Sequence, residues 1–203
     1  MGVELGALTV VDTAYLSTTP GSGEPIVSKD GNGKTLYAHW LQEVTVYVYA
    51  SSASEGSSYV FASSKTTNAT AYLLGDKASS SAASRVSTTT AKVYDLSSSS
   101  YTDASGNALT GVYLESVDDH YVWKAYLDSG IKYKSSYGGY LSTSSSSSKV
   151  VIDSNGSQNQ SIAYDGTYVT NRSKYLYYSS GWIFKNNKTA LYLYKATTVY
   201  EPV

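Results

Sequence analysis

The sequence predicts an all-β protein that carries an internal repeat, on three observations. Gly130–Ser142 reads GIKYKSSYGGYLS and Gly166–Tyr177 reads GTYVTNRSKYLY. With one residue deleted the two align, Gly130 on Gly166, Tyr140 on Tyr175 and Leu141 on Leu176. Repetition at this spacing is the mark of a pseudo-symmetric architecture. Second, charged residues make up only 15% of the chain, and 22 tyrosines with abundant Ser and Thr take their place. Tyrosine favours strands, whereas Ser and Thr compete with the backbone of a helix interior. Third, turn signals separate short apolar runs, each placing Asp or Asn beside Gly where a positive φ is needed. They are Asp103–Asn107, Asp128–Gly130, Asp153–Gly156 and Asp165-Gly166.

Taken in order, residues 1–42 hold strand-like runs at Ala7–Val11 and Thr35–Trp40. Pro20-Gly21 and Asp30-Gly31-Asn32-Gly33 mark the connection between them. A second part, 43–203, begins with Glu43–Ala50 and continues through Ser58–Ala62, Ala71–Leu74, Ala91–Leu96 and Gly111–Ser116. Each repeat unit then follows an apolar strand, Tyr121–Leu127 or Ser161–Tyr164, and precedes another, Lys149–Ile152 or Gly181–Phe184. Ala190–Ala196 closes the series. Helical periodicity is nearly absent, and the Ser-rich stretch Ala78–Arg85 reads as a loop or a single turn. Ser97–Ser100 and Ser144–Ser148 are short enough to read as hairpin loops rather than linkers. Two parts are therefore expected: a small β segment over 1–42, and a Tyr/Ser-rich all-β domain over 43–203.

Bulk properties narrow the function. A formal net charge of −1 provides no basic field for nucleic acid or an anionic membrane. No apolar run approaches the 18 or so residues of a membrane span. The chain has no cysteine, which fits a bacterial surface protein better than a small disulfide-bonded secreted domain. Met1–Glu4 lacks the basic and apolar regions of an export signal, so the chain reads as a monomeric piece of a longer exported protein.

Thr35-Leu36-Tyr37-Ala38 and Trp40 match the TLYAxW ending of the Listeria–Bacteroides repeat, and residues 35–42 resemble its closing strand. That β-grasp-like module occurs in tandem on bacterial surface proteins. The resemblance implies an extracellular location and a modular context, with residues 1–42 as part of one unit. Residues 43–196 are similar to C-terminal β domains of large secreted proteins of gut bacteria. The residues that carry this are Tyr121-Val122-Trp123, Gly139–Ser142, Lys174–Tyr178 and Leu191–Lys195. A Trp-bearing strand followed by a GYL strand also resembles a β-trefoil of the ricin-B kind, although the QxW signature of that family is absent. A third copy would lie in 44–76, with 77–118 as an insertion. The expected architecture is therefore a pseudo-repeated β-trefoil-like domain preceded by the small β segment, with a β-sandwich as the alternative.

Catalytic constellations are missing from the sequence. The chain has two histidines, His39 and His120. His120 follows Asp118-Asp119, but neighbours on a strand point to opposite faces and do not converge, so a solvated turn is expected. Asp153–Ser157 echoes the start of a calcium loop, yet the twelfth position is Tyr164, and a hairpin turn is the better reading. No metal, no cofactor and no enzymatic activity are expected.

Aromatics are the stronger lead. Tyr and Trp offer an apolar face to sugar C–H groups or to a protein, with a polar tip. Alternation over Tyr175–Tyr178 places Leu176 inward and Tyr175 and Tyr177 on the opposite face. Tyr137 sits in a turn, while Trp123 and Trp40 are expected to be structural. The predicted ligand-binding set is Tyr137, Tyr140, Tyr175, Tyr177, Trp182 and Asn171. These residues predict a non-catalytic binding or adhesion module that recognises glycan. The alternatives are an adhesin domain for a host protein or glycoprotein, such as an immunoglobulin or matrix component, and a structural spacer.

Overall fold

The structure, a computed structural model, describes residues 13–17, 26–29, 35–78, 86–127, 130–143, 149–154 and 161–203. The expected strand at Ala7–Val11, the Ser144–Ser148 loop and nearly all of Ala78–Arg85 lie outside them. The described residues are strands and loops, with two single 3₁₀ turns at Leu96–Ser98 and Asp119–Tyr121 and no α-helix.

The chain divides into two compact units. One takes in Met1–Thr45, Leu96–Thr110 and Thr198–Val203. In it β1 (Thr13–Ser17) and β2 (Ile26–Lys29) pair antiparallel with the first part of β3 (Thr35–Ala50). Thr102 bridges both Ala108 and Tyr200, and Asp103 closes the Asp103–Asn107 turn by accepting from the backbone of Ser105 and Asn107. The strand break expected at residue 42 does not exist, because β3 runs unbroken through it. The segment His-Trp-Leu-Gln-Glu-Val-Thr-Val contains no Gly, Pro or Asx-Gly to end a strand. Trp40, expected to be structural, is 39% exposed.

The second unit is Val46–Asp95 with Gly111–Thr197. Its remaining strands are β4 (Ser58–Ala62), β5 (Thr70–Ala78), β6 (Val86–Lys92), β7 (Tyr94–Asp95), β8 (Val112–Leu114), β9 (Trp123–Leu127), β10 (Ile131–Ser135), β11 (Tyr140–Thr143), β12 (Val150–Asp153), β13 (Ala163–Tyr164), β14 (Val169–Asn171), β15 (Lys174–Tyr178), β16 (Trp182–Lys185) and, up to Thr197, β17 (Tyr192–Pro202). They form two antiparallel sheets. One runs β12-β11-β10-β9-β4-β17-β3-β8-β7, with β5 beside β4 and β6 beside β5; the other is β13-β14-β15-β16.

The two aligned segments each lie within a run of four consecutive antiparallel strands. The first copy is a meander, β9 to β12, and the second is a meander, β13 to β16. The aligned glycines occupy the first turn of each, Gly130 at φ +118 and Gly166 at φ +91. Tyr140 and Tyr175 each start or nearly start the third strand. Residues 44–76, where a third copy was sought, supply the end of β3, then β4 and most of β5, and β4, β5 and β6 pair in succession.

Both sheets share one core. Tyr59, Phe61, Trp123, Tyr133 and Leu193 from the first meet Val169, Leu176, Trp182 and Phe184 from the second. Strand β4 is buried on both faces over Tyr59–Ala62, and β17 at Leu193 and Tyr194, as an apolar run between two layers requires. Their alternate residues Val60, Ala62 and Tyr194 enter a second cluster with Leu73, Leu114 and Val122. Trp123 is fully buried as expected, and its indole N–H donates to the Leu74 carbonyl at 2.9 Å.

Candidate functional site: the outer faces of the two meanders

Strand alternation divides each meander into a core face and an outer face. In β15, Leu176 is buried, and Tyr175 and Tyr177 are half-exposed on the other side, as the sequence predicts. Register places Tyr175 opposite Lys185 and Tyr177 opposite Ile183. The Lys185 ammonium stands 4.5 Å above the Tyr177 ring. Lys188 stands 5.5 Å from the Tyr168 ring and 5.9 Å from that of Tyr175, and these two rings meet edge to face. Two backbone donors, the N–H groups of Thr167 and Tyr168, fix the adjoining turn on the Asp165 carboxylate at 2.9 and 2.7 Å. Those hydrogen bonds hold the Asp165 pKa below its usual value.

The first meander presents the same pairing of tyrosine with lysine. Trp123, Ala125 and Tyr133 point to the core, leaving Lys124, Tyr126 and Lys134 on the outer face. Tyr140, half-exposed, lies opposite Lys134, whose ammonium is 5.3 Å from its ring centroid. Lys124 lies directly opposite Lys134 and is 5.7 Å from the Tyr126 ring.

Tyr137 tops the β10–β11 turn and is 63% exposed. One face of its ring is covered, because it stacks on the His120 imidazole with centroids 3.8 Å apart and an interplanar angle of 16°. His120 is not in a free solvated turn. Its Nδ1 lies 2.8 Å from Oδ1 of the buried Asp76, and its backbone N–H donates to Asp118. Asp76 Oδ2 is buried with no hydrogen-bond partner among the described residues. Asp118 and Asp119 are the acids beside His120 in sequence, but the partner of its ring is 44 residues away on β5. No group of three or more His, Cys, Asp or Glu that could hold a metal ion occurs among the described residues.

Two predicted ligand residues are placed inside. Trp182 is fully buried, and its indole N–H donates to the Leu73 carbonyl at 3.3 Å. It shares the core-facing side of β16 with Phe184, so the expectation of an exposed ring there is corrected. Asn171 is 3% exposed and accepts a hydrogen bond from the Thr143 hydroxyl at 3.0 Å. Its residue nevertheless lines a cavity of about 330 Å³ with Gly130, Ser161, Tyr164 and Arg172. Tyr137, Tyr140, Tyr175 and Tyr177 remain accessible, on two different meanders rather than in one cluster. Lys124, Tyr126, Lys134 and Asp76 were not singled out from sequence. For the lysines a signal was present: Lys124 and Lys134 lie four residues to either side of the Asp128-Ser129-Gly130 turn signal in the sequence, and β9 and β10 pair them.

No protein-family model, no curated protein and no solved structure matches the chain.

Proposed function

We propose that this chain is a non-catalytic binding module that recognises glycan through its outer-face tyrosines, within a larger extracellular protein of a bacterial surface. The observation that carries the reading is the repeated pairing of half-exposed Tyr with Lys on the outer faces of both meanders. A sugar ring stacks its C–H face on an aromatic ring, and ammonium groups beside it donate to ring hydroxyls. Ordered strands hold these side chains, so little entropy is lost on binding. The TLYAxW resemblance of residues 35–42 supports the surface location. Of the two expected architectures, the trefoil-like repeat rests on the matching meanders and the β-sandwich on the core common to both sheets; we favour the sandwich.

A glycan array probed with the intact chain tests the reading, beside Tyr137→Ala/Tyr177→Ala and with EDTA added. The expected result is a defined set of bound glycans, a weaker signal for the double variant and no effect of EDTA. An array blank for every glycan, with binding to immunoglobulin or matrix protein instead, would replace this reading by the adhesin.

A further inference from the structure

The outer face of the first meander contains an arrangement that a glycan platform alone does not explain. Lys124 and Lys134 lie directly across from one another on neighbouring antiparallel strands. Like charges in that position destabilise a sheet. Neither ammonium has a carboxylate partner among the described residues; each has only a tyrosine ring, Tyr126 or Tyr140, at more than 5 Å. The two lysines line a concavity of about 280 Å³ together with Ser58, Tyr126, Ser135 and Ser136. That is near the lower end of the sizes that hold small ligands, about 300 Å³.

The rim is fixed from behind. The Ser135–Gly139 turn is closed by Gly138 N–H donating to the Ser135 carbonyl and Ser135 N–H to that of Gly139. Gly138 adopts φ +103, a conformation that favours glycine. Tyr137 ties this turn to His120 by ring stacking, and the buried Asp76 holds His120 in place. The concavity thus carries two ammonium groups without a carboxylate partner among the described residues, serine side chains and an aromatic wall.

The geometry points to this concavity as a subsite for the oxyanion of an acidic saccharide, a sulfate or carboxylate group held between Lys124 and Lys134. The sugar that bears it stacks against Tyr126 or Tyr140. The anion removes the cross-strand repulsion and gains two charge-assisted hydrogen bonds. Tyrosine rings beside the cations favour a sugar over an acidic peptide, since flat C–H faces fit an aromatic wall and carboxylate side chains do not. The inference rests on the glycan-binding reading and names its ligand class.

Calorimetric titration tests it with four probes: a heparin-derived hexasaccharide, a hexagalacturonate, neutral cellohexaose and hexaglutamate peptide. The proteins are the unaltered chain, Lys124→Gln/Lys134→Gln, and Lys92→Gln as a control that removes one charge elsewhere. Melting temperatures establish that each variant is folded. The expected result is binding of heparin fragment, galacturonate or both, the pattern distinguishing sulfate from carboxylate. The double variant should bind at least about tenfold more weakly, the control should not, and about 0.5 M salt should weaken binding to a similar extent. Cellohexaose bound as tightly as the acidic sugars, with no effect of the lysine changes, would overturn the inference and leave glycan binding standing. Hexaglutamate bound as tightly as the sugars and lost in the double variant would overturn it in favour of an acidic peptide. Failure of all three saccharides would overturn the inference alone where the array shows other glycans bound, and both readings where the array is blank for every glycan.

Discussion

Trp123 and Trp182 are the two largest fully buried side chains, and each satisfies its indole N–H on a carbonyl of β5, Leu74 or Leu73. Truncating either leaves a cavity between the sheets. Trp123→Ala or Trp182→Ala should therefore cost about 3–5 kcal/mol, read as a shift of the urea midpoint. Tyr137 is the contrasting case. Its ring is mostly exposed and loses one stacking partner, so Tyr137→Ala should cost about 1 kcal/mol or less. His120→Ala should cost more than Tyr137→Ala, about 1–3 kcal/mol, because it strips the buried Asp76 carboxylate of its hydrogen-bond partner. A smaller loss for His120→Ala than for Tyr137→Ala would show that the Asp76–His120 pair does not anchor the turn. The fate of Trp123 was legible in its apolar flanks, Val122 and Ala125. That of Trp182 was not, because a Gly-Trp-Ile-Phe strand alternates equally well with either face inward until the partner sheet is known.

At the scale of the element, the aligned glycines each sit between the first two strands of a meander. Gly130 and Gly166 both hold positive φ at the first turn, and a Cβ at Gly166 would lie 2.8 Å from the Ser51 carbonyl oxygen. Gly130→Ala and Gly166→Ala should each destabilise by about 1 kcal/mol or more, Gly166→Ala by the larger amount, checked by thermal unfolding. Asp165 adds a pH dependence to the second meander. Its folded-state pKa is depressed by the backbone N–H groups of Tyr168 and Thr167. Its contribution is present above the unfolded value of about 3.9 and is lost as pH falls through the lower folded value. Asp165→Asn should flatten the acid limb of stability between about pH 5 and pH 2, modestly because the group is exposed. These elements were readable because Asx-Gly pairs and apolar runs act locally. Strand β4 emerged with the bounds Ser58–Ala62, and Leu176 with its inward face. Strand β6 was missed over the first five of its seven residues, since Val-Ser-Thr-Thr-Thr carries little apolar periodicity and is held as a strand by pairing with β5. The Asp76–His120 contact was invisible for the same reason: it joins distant segments that only the completed sheet brings together.

At the scale of the molecule, tyrosine does the work that phenylalanine does elsewhere, and this makes stability sensitive to alkali. Desolvation raises the pKa of Tyr133, Tyr164 and Tyr194, and the buried Tyr133 hydroxyl has no hydrogen-bond partner among the described residues. A folded-state pKa above the unfolded value of about 10 gives stability that is complete below that pH and lost as pH rises towards the folded values. Ultraviolet titration should show the exposed tyrosines ionising first and the buried ones only with cooperative unfolding. Ionisation of all tyrosines in one early, non-cooperative phase would contradict the buried placements. The remaining tyrosines, with lysines beside them on the outer faces, carry the functional claim. Its most direct test is calorimetric titration of the glycan preferred on the array into the chain and into Tyr140→Ala/Tyr175→Ala/Tyr177→Ala. The account predicts saturable binding that weakens at least about tenfold, or about 1.4 kcal/mol, in a variant that still unfolds cooperatively. Unchanged affinity in that folded variant would contradict it.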